Sequence, residues 1–340
     1  MLSVSSAPEP TVRPVPVLVR DLVDGQELDQ VLLVRSVEAR ARRGGGEFLR
    51  LVLSDRTGHL TAMVWEDVAR ARELCGAGAP VRVVGRFEVH HRWGPQLALR
   101  AVHAATPGSY DARDLVDGPP RPAARMEEDL RALVATVQEV HLRALLDRVL
   151  GPASPTWAAF RRAPAAKHFH QAYAHGLLEH CLSVAQGVSA LAALFPGIDR
   201  DVAVTGALLH DIGKLEAYTV DPAAIELTDA GRLQGEIPLG YFRIRREIET
   251  IPGFPPATAQ AVLHIILSHH GSLEHGSPVV PCTREATLVH FLDNLGGRLG
   301  SFDRLEKALA PGASWAPFDR GIGASAYFGP GGERPEREAA

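Results

Sequence analysis

The chain has 340 residues, of which 46% are hydrophobic and 22% charged, enough to bury a sizeable core and long enough for two domains. Its net charge of −4 excludes a uniformly basic nucleic-acid coat, and no apolar run approaches the 18 residues of a membrane span. Three widely spaced cysteines, Cys75, Cys181 and Cys282, with no CxxC pair, exclude a disulfide framework and a thiolate zinc site and point to a reducing, cytoplasmic setting.

Residues 1–15 (MLSVSSAPEPTVRPV) lack the basic start and apolar run of a secretory signal and read as a short disordered leader. From 16 to 105 short strands alternate with turns: VLLVRSVEAR, ARRGGG, EFLRLVLSD, RTG, HLTAMVW, then VRVVGRFEV, HRWGP and QLALRAV. The period of two is plain in Leu49, Leu51 and Leu53 and again in Leu60, Ala62 and Val64. Five strands in about ninety residues, with a helical piece near 66–74, predict a small closed barrel of the OB-fold type. Residues 1–105 carry 14 Lys+Arg against 12 Asp+Glu, and the remainder 22 against 28, so the barrel is the more basic part.

Residues 106–125 are rich in Pro, Gly and Asp and read as a linker. The pattern then turns helical over 126–308, beginning with one apolar-periodic run, MEEDLRALVATVQEVHLRALLDRVL, that ends at Gly151-Pro152. Further helices are expected at 155–162, 176–194, 200–215, 238–249, 257–268 and 283–308. The tail 309–340 grows rich in Gly, Pro and Glu, and its last dozen residues read as disordered.

Ten of the 15 histidines fall between His168 and His290. Several stand inside or at the ends of segments that should be buried: His180 in HGLLEHCLSVAQ, His210-Asp211 closing VAVTGALLHDIGK, His269-His270 in SHHG, and Asp293 in ATLVHFLDNLGG. Buried ionisable groups are costly unless paired or ligated. A divalent metal shared by neighbouring helix ends explains them together, and mixed imidazole and carboxylate donors suit Mn, Fe, Co, Ni or Zn. An aspartate directly after a ligating histidine can bridge two metals, an arrangement suited to in-line displacement at phosphorus. His264 and His290 read as ordinary packing or polar-face residues.

The order GLLEH, LLHDIGK, SHHG, LDN resembles the H…HD…HH…D pattern of HD-domain phosphohydrolases. More narrowly, FRRAPAAKHFHQAYAHGLLEHCLSVA and ILSHHGSLEHGSPVVPCTREATLVHFLD resemble the YhaM-type 3′→5′ exoribonucleases, whose N-terminal module is an OB-type nucleic-acid-binding domain. LRLVLSDRTGHLTAMVWED and VVGRFEVHHRWGPQLALRAV are similar to that module, and the likeness runs from about residue 16 to 305. The resemblance implies a multidomain protein, an all-β OB barrel followed by an all-α HD domain, that removes nucleotides from the 3′ end of single-stranded RNA, with DNA as an alternative substrate. It implies two divalent ions, manganese first, with Fe, Co, Ni, Zn or Mg as other candidates, and ligands at His180, His210, Asp211, His269, His270 and Asp293.

The sequence departs from the family at one position. Gly235-Glu236-Ile237 stands where the family usually has a GHI-like histidine, so Glu236 is expected as a ligand in its place, the alternative being a solvated helix-start carboxylate. Asp211, Lys214 and His170 are the catalytic candidates. The resemblance brings Lys214 to the substrate phosphate, and His170, with Lys167 and His168, along its path.

On the barrel, Arg40, Arg42 and Arg43 precede Gly44-Gly45-Gly46, a basic loop suited to a phosphate backbone. With Leu49, Leu51 and Leu53 inward, Phe48 and Arg50 point outward; Phe48, Trp65 and Trp93 are expected as stacking platforms for bases. The competing readings are a nucleotide or cyclic-nucleotide phosphohydrolase and a non-catalytic nucleic-acid-binding regulator. A homo-oligomer is compatible with either, and no membrane partner is expected.

Overall fold

The computed structural model describes residues 16–42, 45–90, 94–116, 118–119, 121–166, 171–219, 225–307, 309 and 312–329. The chain forms two compact units, Met1–Val116 and Asp117–Ala340.

In the first unit five strands, β1 (Glu27–Ala41), β2 (Glu47–Ser54), β3 (His59–Val64), β4 (Pro80–His90) and β5 (Gly94–Ala104), close into a barrel of order β1-β2-β3-β5-β4. Only the β3–β5 pairing is parallel. Helix α1 (Val68–Leu74) lies in the β3–β4 connection. The expected alternation is what closes the barrel: Leu49, Leu51 and Leu53 are fully buried, and Leu60, Ala62 and Val64 face the same core.

Strand β1 serves two neighbours. Its first half pairs with β4 and its second with β2, and a register shift between Val34 and Ser36 lets one strand turn the corner. Gly85 sits at a second shift, where a Cβ would come 2.6 Å from the Ala98 carbonyl oxygen, so only glycine allows β4 and β5 to approach there. The barrel unit extends past the expected boundary. Helix α2 (Ala112–Leu115) buries Leu115, and the Asp114 carbonyl accepts from the Arg56 amide at 2.9 Å. The linker is thereby shorter than the expected 106–125.

The second unit is helical: α3 (Ala123–Ala135), α4 (Val140–Leu150), α5 (Trp157–Arg162), α6 (Gly176–Ala192), α7 (Arg200–Leu209), α8 (Lys214–Ala217), α9 (Asp229–Gln234), α10 (Glu236–Glu249), α11 (Pro256–Ser268) and α12 (Arg284–Lys307). The run expected as one helix up to Gly151 is two. Asp201 accepts from the amides of Gln138 and Glu139 at 2.6 and 2.9 Å, and the Glu139 carboxylate caps α4 through the Leu142 amide. These contacts satisfy the orphan amides of a new helix start, so the break costs little. The expected helix 200–215 likewise divides into α7 and α8 around the turn at 210–213.

Helices α6 and α7 form the centre. Every residue from Gly176 to Leu182 and from Val202 to Leu209 is buried, the mark of a helix covered on all sides. Among the described residues no helix is long and apolar enough to cross a membrane. The tail holds a hairpin the sequence did not announce. Strands β6 (Trp315–Asp319) and β7 (Ala324–Tyr327) pair antiparallel, and Leu305, Ala316, Ile322 and Ala326 make a small core. Arg304 of α12 holds Asp319 at 2.6 Å.

Candidate metal centre

Helix ends deliver most of the site. His210 closes α7 and Asp211 lies in the turn that follows; His269 closes α11 and His270 follows it. Glu236 opens α10 immediately after Gly235, whose φ of +80° suits glycine. His180 comes from the second turn of α6 and Asp293 from α12. Gly213 makes the meeting close: a Cβ there would lie 2.0 Å from the Glu236 carbonyl oxygen and 2.5 Å from the Gly240 nitrogen. Its φ of −69° is open to any residue, so the requirement is for space. Gly213→Ala should destabilise the protein by about 1–3 kcal/mol and displace Glu236. Thermal unfolding together with metal content would show it; wild-type values for both would contradict it.

Each of the four imidazoles is anchored through Nδ1. That of His210 donates to the Ala207 carbonyl at 2.7 Å, that of His269 to Ile266 at 2.8 Å, and that of His270 to His275 at 2.9 Å. His180 Nδ1 meets the Gln171 side-chain oxygen at 3.1 Å. With Nδ1 of each ring so engaged, the four Nε2 atoms are the ones left to converge. His180 Nε2 lies 3.1 Å from His210 Nε2, 3.2 Å from Asp211 Oδ2 and 3.1 Å from Asp293 Oδ1. On the other side, His269 Nε2 is 3.5 Å from Asp211 Oδ1, and His270 Nε2 is 3.4 Å from Glu236 Oε1.

The donors fall into overlapping sets whose atoms lie within 4.8 Å of one another: His180, His210 and Asp211; Asp211, Glu236, His269 and His270; and His210, His269 and Asp293. Two observations fit this donor set to divalent cations. Asp211 Oδ1 and His269 Nε2 are buried with no hydrogen-bond partner, a costly state for a protein to keep. In addition, the His180 and His210 Nε2 atoms face each other at 3.1 Å, so that without a cation one of the two rings must carry a second proton inside the core. A cation between such atoms relieves both faults.

The electrostatics agree. Burial pushes His210 down to about 4. His180 is equally buried, but the Asp211 and Asp293 carboxylates overcome that penalty and push it up to about 9. The proton it holds is one that cation binding would release. Burial opposes the charge on Asp211 and Asp293 as well, yet both are held below the usual carboxylate range, Asp211 chiefly by Lys214 and His210 and Asp293 chiefly by His180.

Lys214 does not reach out of the site. Its Nζ donates to Asp211 Oδ2 at 2.6 Å, and the side chain is 12% exposed. His170 lies outside the described residues, as do Lys167 and His168. His264 Nε2 accepts from the Cys282 amide and His290 Nδ1 donates to the His269 carbonyl, so these two serve as supports of the backbone, consistent with an ordinary polar role. The sequence offered no sign of Gln171. Tyr218 was also unforeseen; burial and the Glu236 carboxylate push its phenol upward.

On the barrel, Phe48 and Trp65 stack with ring centres 4.4 Å apart and planes 23° apart, and Trp65 is 52% exposed. The Arg42 guanidinium stands 5.3 Å from the Trp65 ring centre. Arg40 and Arg50 are on the same side but engage Glu38, at 2.7 and 3.7 Å. Arg43 and Trp93 lie outside the described residues.

A closed five-stranded barrel precedes a helical unit with converging His and Asp side chains, and within that unit residues 177–297 match the model of the HD domain. HD domains imply divalent-metal binding. Three relatives, each a 3′-5′ exoribonuclease YhaM, match nearly the whole chain. That of Bacillus velezensis is 30% identical over 293 residues, covering 85% of this chain and 90% of the relative. That of Bacillus subtilis (strain 168) is 30% identical over 291 residues with the same coverage. That of Geobacillus sp. (strain WCH70) is 29% identical over 290 residues, 85% of this chain and 87% of the relative. The chain belongs to the YhaM 3′-5′ exoribonuclease family.

Proposed function

We propose that the chain is a divalent-metal-dependent exonuclease that shortens single-stranded RNA from its 3′ end. The observation that carries this reading is Asp211, a buried carboxylate whose two oxygens face two different donor sets. His180, His210, Asp211 and Asp293 would hold one ion, and Asp211, Glu236, His269 and His270 a second. Bound there, the ions would supply Lewis acidity at the scissile phosphate and an activated water. Glu236 gives the second set two carboxylates beside two imidazoles, which supports manganese over softer ions.

The chain's own residues prepare the site. The Nδ1 anchors hold the rings before any ligand arrives, so little reorganisation is required. Lys214 offsets the negative charge of Asp211, keeping that carboxylate ionised within the core. On the barrel, Phe48 and Trp65 offer a flat surface to an unpaired base and Arg42 a cation beside it.

The test is a 5′-labelled, 3′-free RNA incubated with the protein and manganese. Stepwise shortening that chelation abolishes is expected. Full-length label under every divalent metal, with a mononucleotide or cyclic nucleotide hydrolysed instead, would favour a small-molecule phosphohydrolase. RNA binding without metal uptake or hydrolysis would favour a regulator. A DNA strand of the same sequence, run in parallel, decides sugar preference.

A further inference from the structure

We propose that Gln171 is a positioning residue that fixes the ring of His180 and thereby builds the first of the two metal positions. The proposal rests on the metal reading above.

The four anchored histidines are not held alike. His210 and His269 each close a helix, and each ring donates to the carbonyl three residues earlier, one of the acceptors that a helix end leaves free. His270 uses the carbonyl of His275 in the loop that follows. His180 has no such recourse. It stands inside α6, four residues after Gly176, where nearby carbonyls are taken by the helix itself. Its acceptor must come from elsewhere in the chain, and it is a side chain, the Gln171 amide oxygen at 3.1 Å.

The backbone of Gln171 is arranged for this contact. Its φ is +57°, in the left-handed region that a residue with a long side chain seldom adopts. The Gln171 carbonyl accepts from the Ala165 amide at 3.1 Å and lies so near the start of α6 that a Cβ on Gly176 would come 2.0 Å from it. The side chain is thus delivered from a fixed point. A neutral amide suits the task, because it accepts the Nδ1 proton without adding charge to a cluster already holding Asp211, Asp293 and Glu236. With Nδ1 so engaged, Nε2 is directed at Asp211 Oδ2, Asp293 Oδ1 and His210 Nε2.

Manganese titration of the full-length chain, with unbound ion read by electron paramagnetic resonance, tests this. The wild type should take up two ions. Gln171→Leu should bind one of them about 10–100-fold more weakly and alter the other far less, through the shared Asp211 alone. Gln171→Glu, which keeps an acceptor at the same reach, should retain both. Gln171→Asn, at home in the left-handed region but one methylene too short, should behave as Gln171→Leu and serves if that variant does not fold. In zinc-loaded protein labelled with 15N-histidine, the Nδ1–H signal of His180 should be protected in the wild type and lost in Gln171→Asn. Wild-type affinity for both ions in Gln171→Leu and Gln171→Asn, with that signal kept, would overturn the proposal alone. A wild type that binds no ion would overturn the metal reading and this one with it.

Discussion

Replacing Asp211 by asparagine is expected to lower RNA hydrolysis by about 10³-fold or more. Metal-ion catalysis supplies several kcal/mol of barrier reduction, and each 1.4 kcal/mol is roughly tenfold in rate. Asp211 is the residue whose loss would touch both proposed metal positions, since one oxygen lies 3.2 Å from His180 and the other 3.5 Å from His269. The substitution also strands the Lys214 ammonium, which pairs with Asp211 at 2.6 Å in a site where the two side chains are 12% and 2% exposed. At such burial solvent screening is slight, and breaking the pair should cost about 3–5 kcal/mol of stability. Inactivity in Asp211→Asn could then reflect unfolding. Combining it with Lys214→Met removes the stranded charge, so the double variant should regain much of the melting temperature and none of the activity. A well-folded double variant that cleaves RNA at a tenth of the wild-type rate would contradict the role given to Asp211.

Trp65→Ala should weaken binding of single-stranded RNA about 5–150-fold while leaving hydrolysis of a dinucleotide unchanged. Stacking of a base on an aromatic ring contributes about 1–3 kcal/mol, and that range sets the expected loss. Trp65 is half exposed with Phe48 against one face, so a preformed platform is removed and no buried core is disturbed. Arg42→Ala should instead reduce the salt dependence of binding, since it removes a cation that stands beside the Trp65 ring and is proposed to meet the phosphate backbone. Binding measured by anisotropy across a salt series, with turnover of long and short substrates, separates the two effects. Unchanged affinity in Trp65→Ala would mean that the stacked pair only covers the barrel surface.

Much of this arrangement was legible in the sequence, for physical reasons that differ along the chain. The barrel could be read because Leu49, Leu51, Leu53, Leu60, Ala62 and Val64 obey a period of two set by their burial. The HD centre could be read because His180, His210, Asp211 and His269 are polar residues in stretches otherwise buried, a contradiction that demands a partner. What escaped depends on contacts that no local pattern records. The break between α3 and α4 is secured by Asp201, over sixty residues away in sequence. Lys214 was expected near the substrate phosphate, and its short contact with Asp211 is a pairing the sequence did not announce. The β6–β7 hairpin rests on Arg304 and Leu305 of α12 and on Ala316, Ile322 and Ala326 in a stretch whose Gly and Pro content reads as a tail. Gln171 has no period, motif or charge to mark it; only the left-handed turn that carries it to His180 gives it a role.

The shared carboxylate has a thermodynamic corollary. If two ions draw on Asp211 as proposed, they would not load independently, because each would alter the affinity for the other by the same factor, in whichever order they arrive. Metal uptake would then be a linked equilibrium, in which the concentration that fills one position depends on whether the other is already filled.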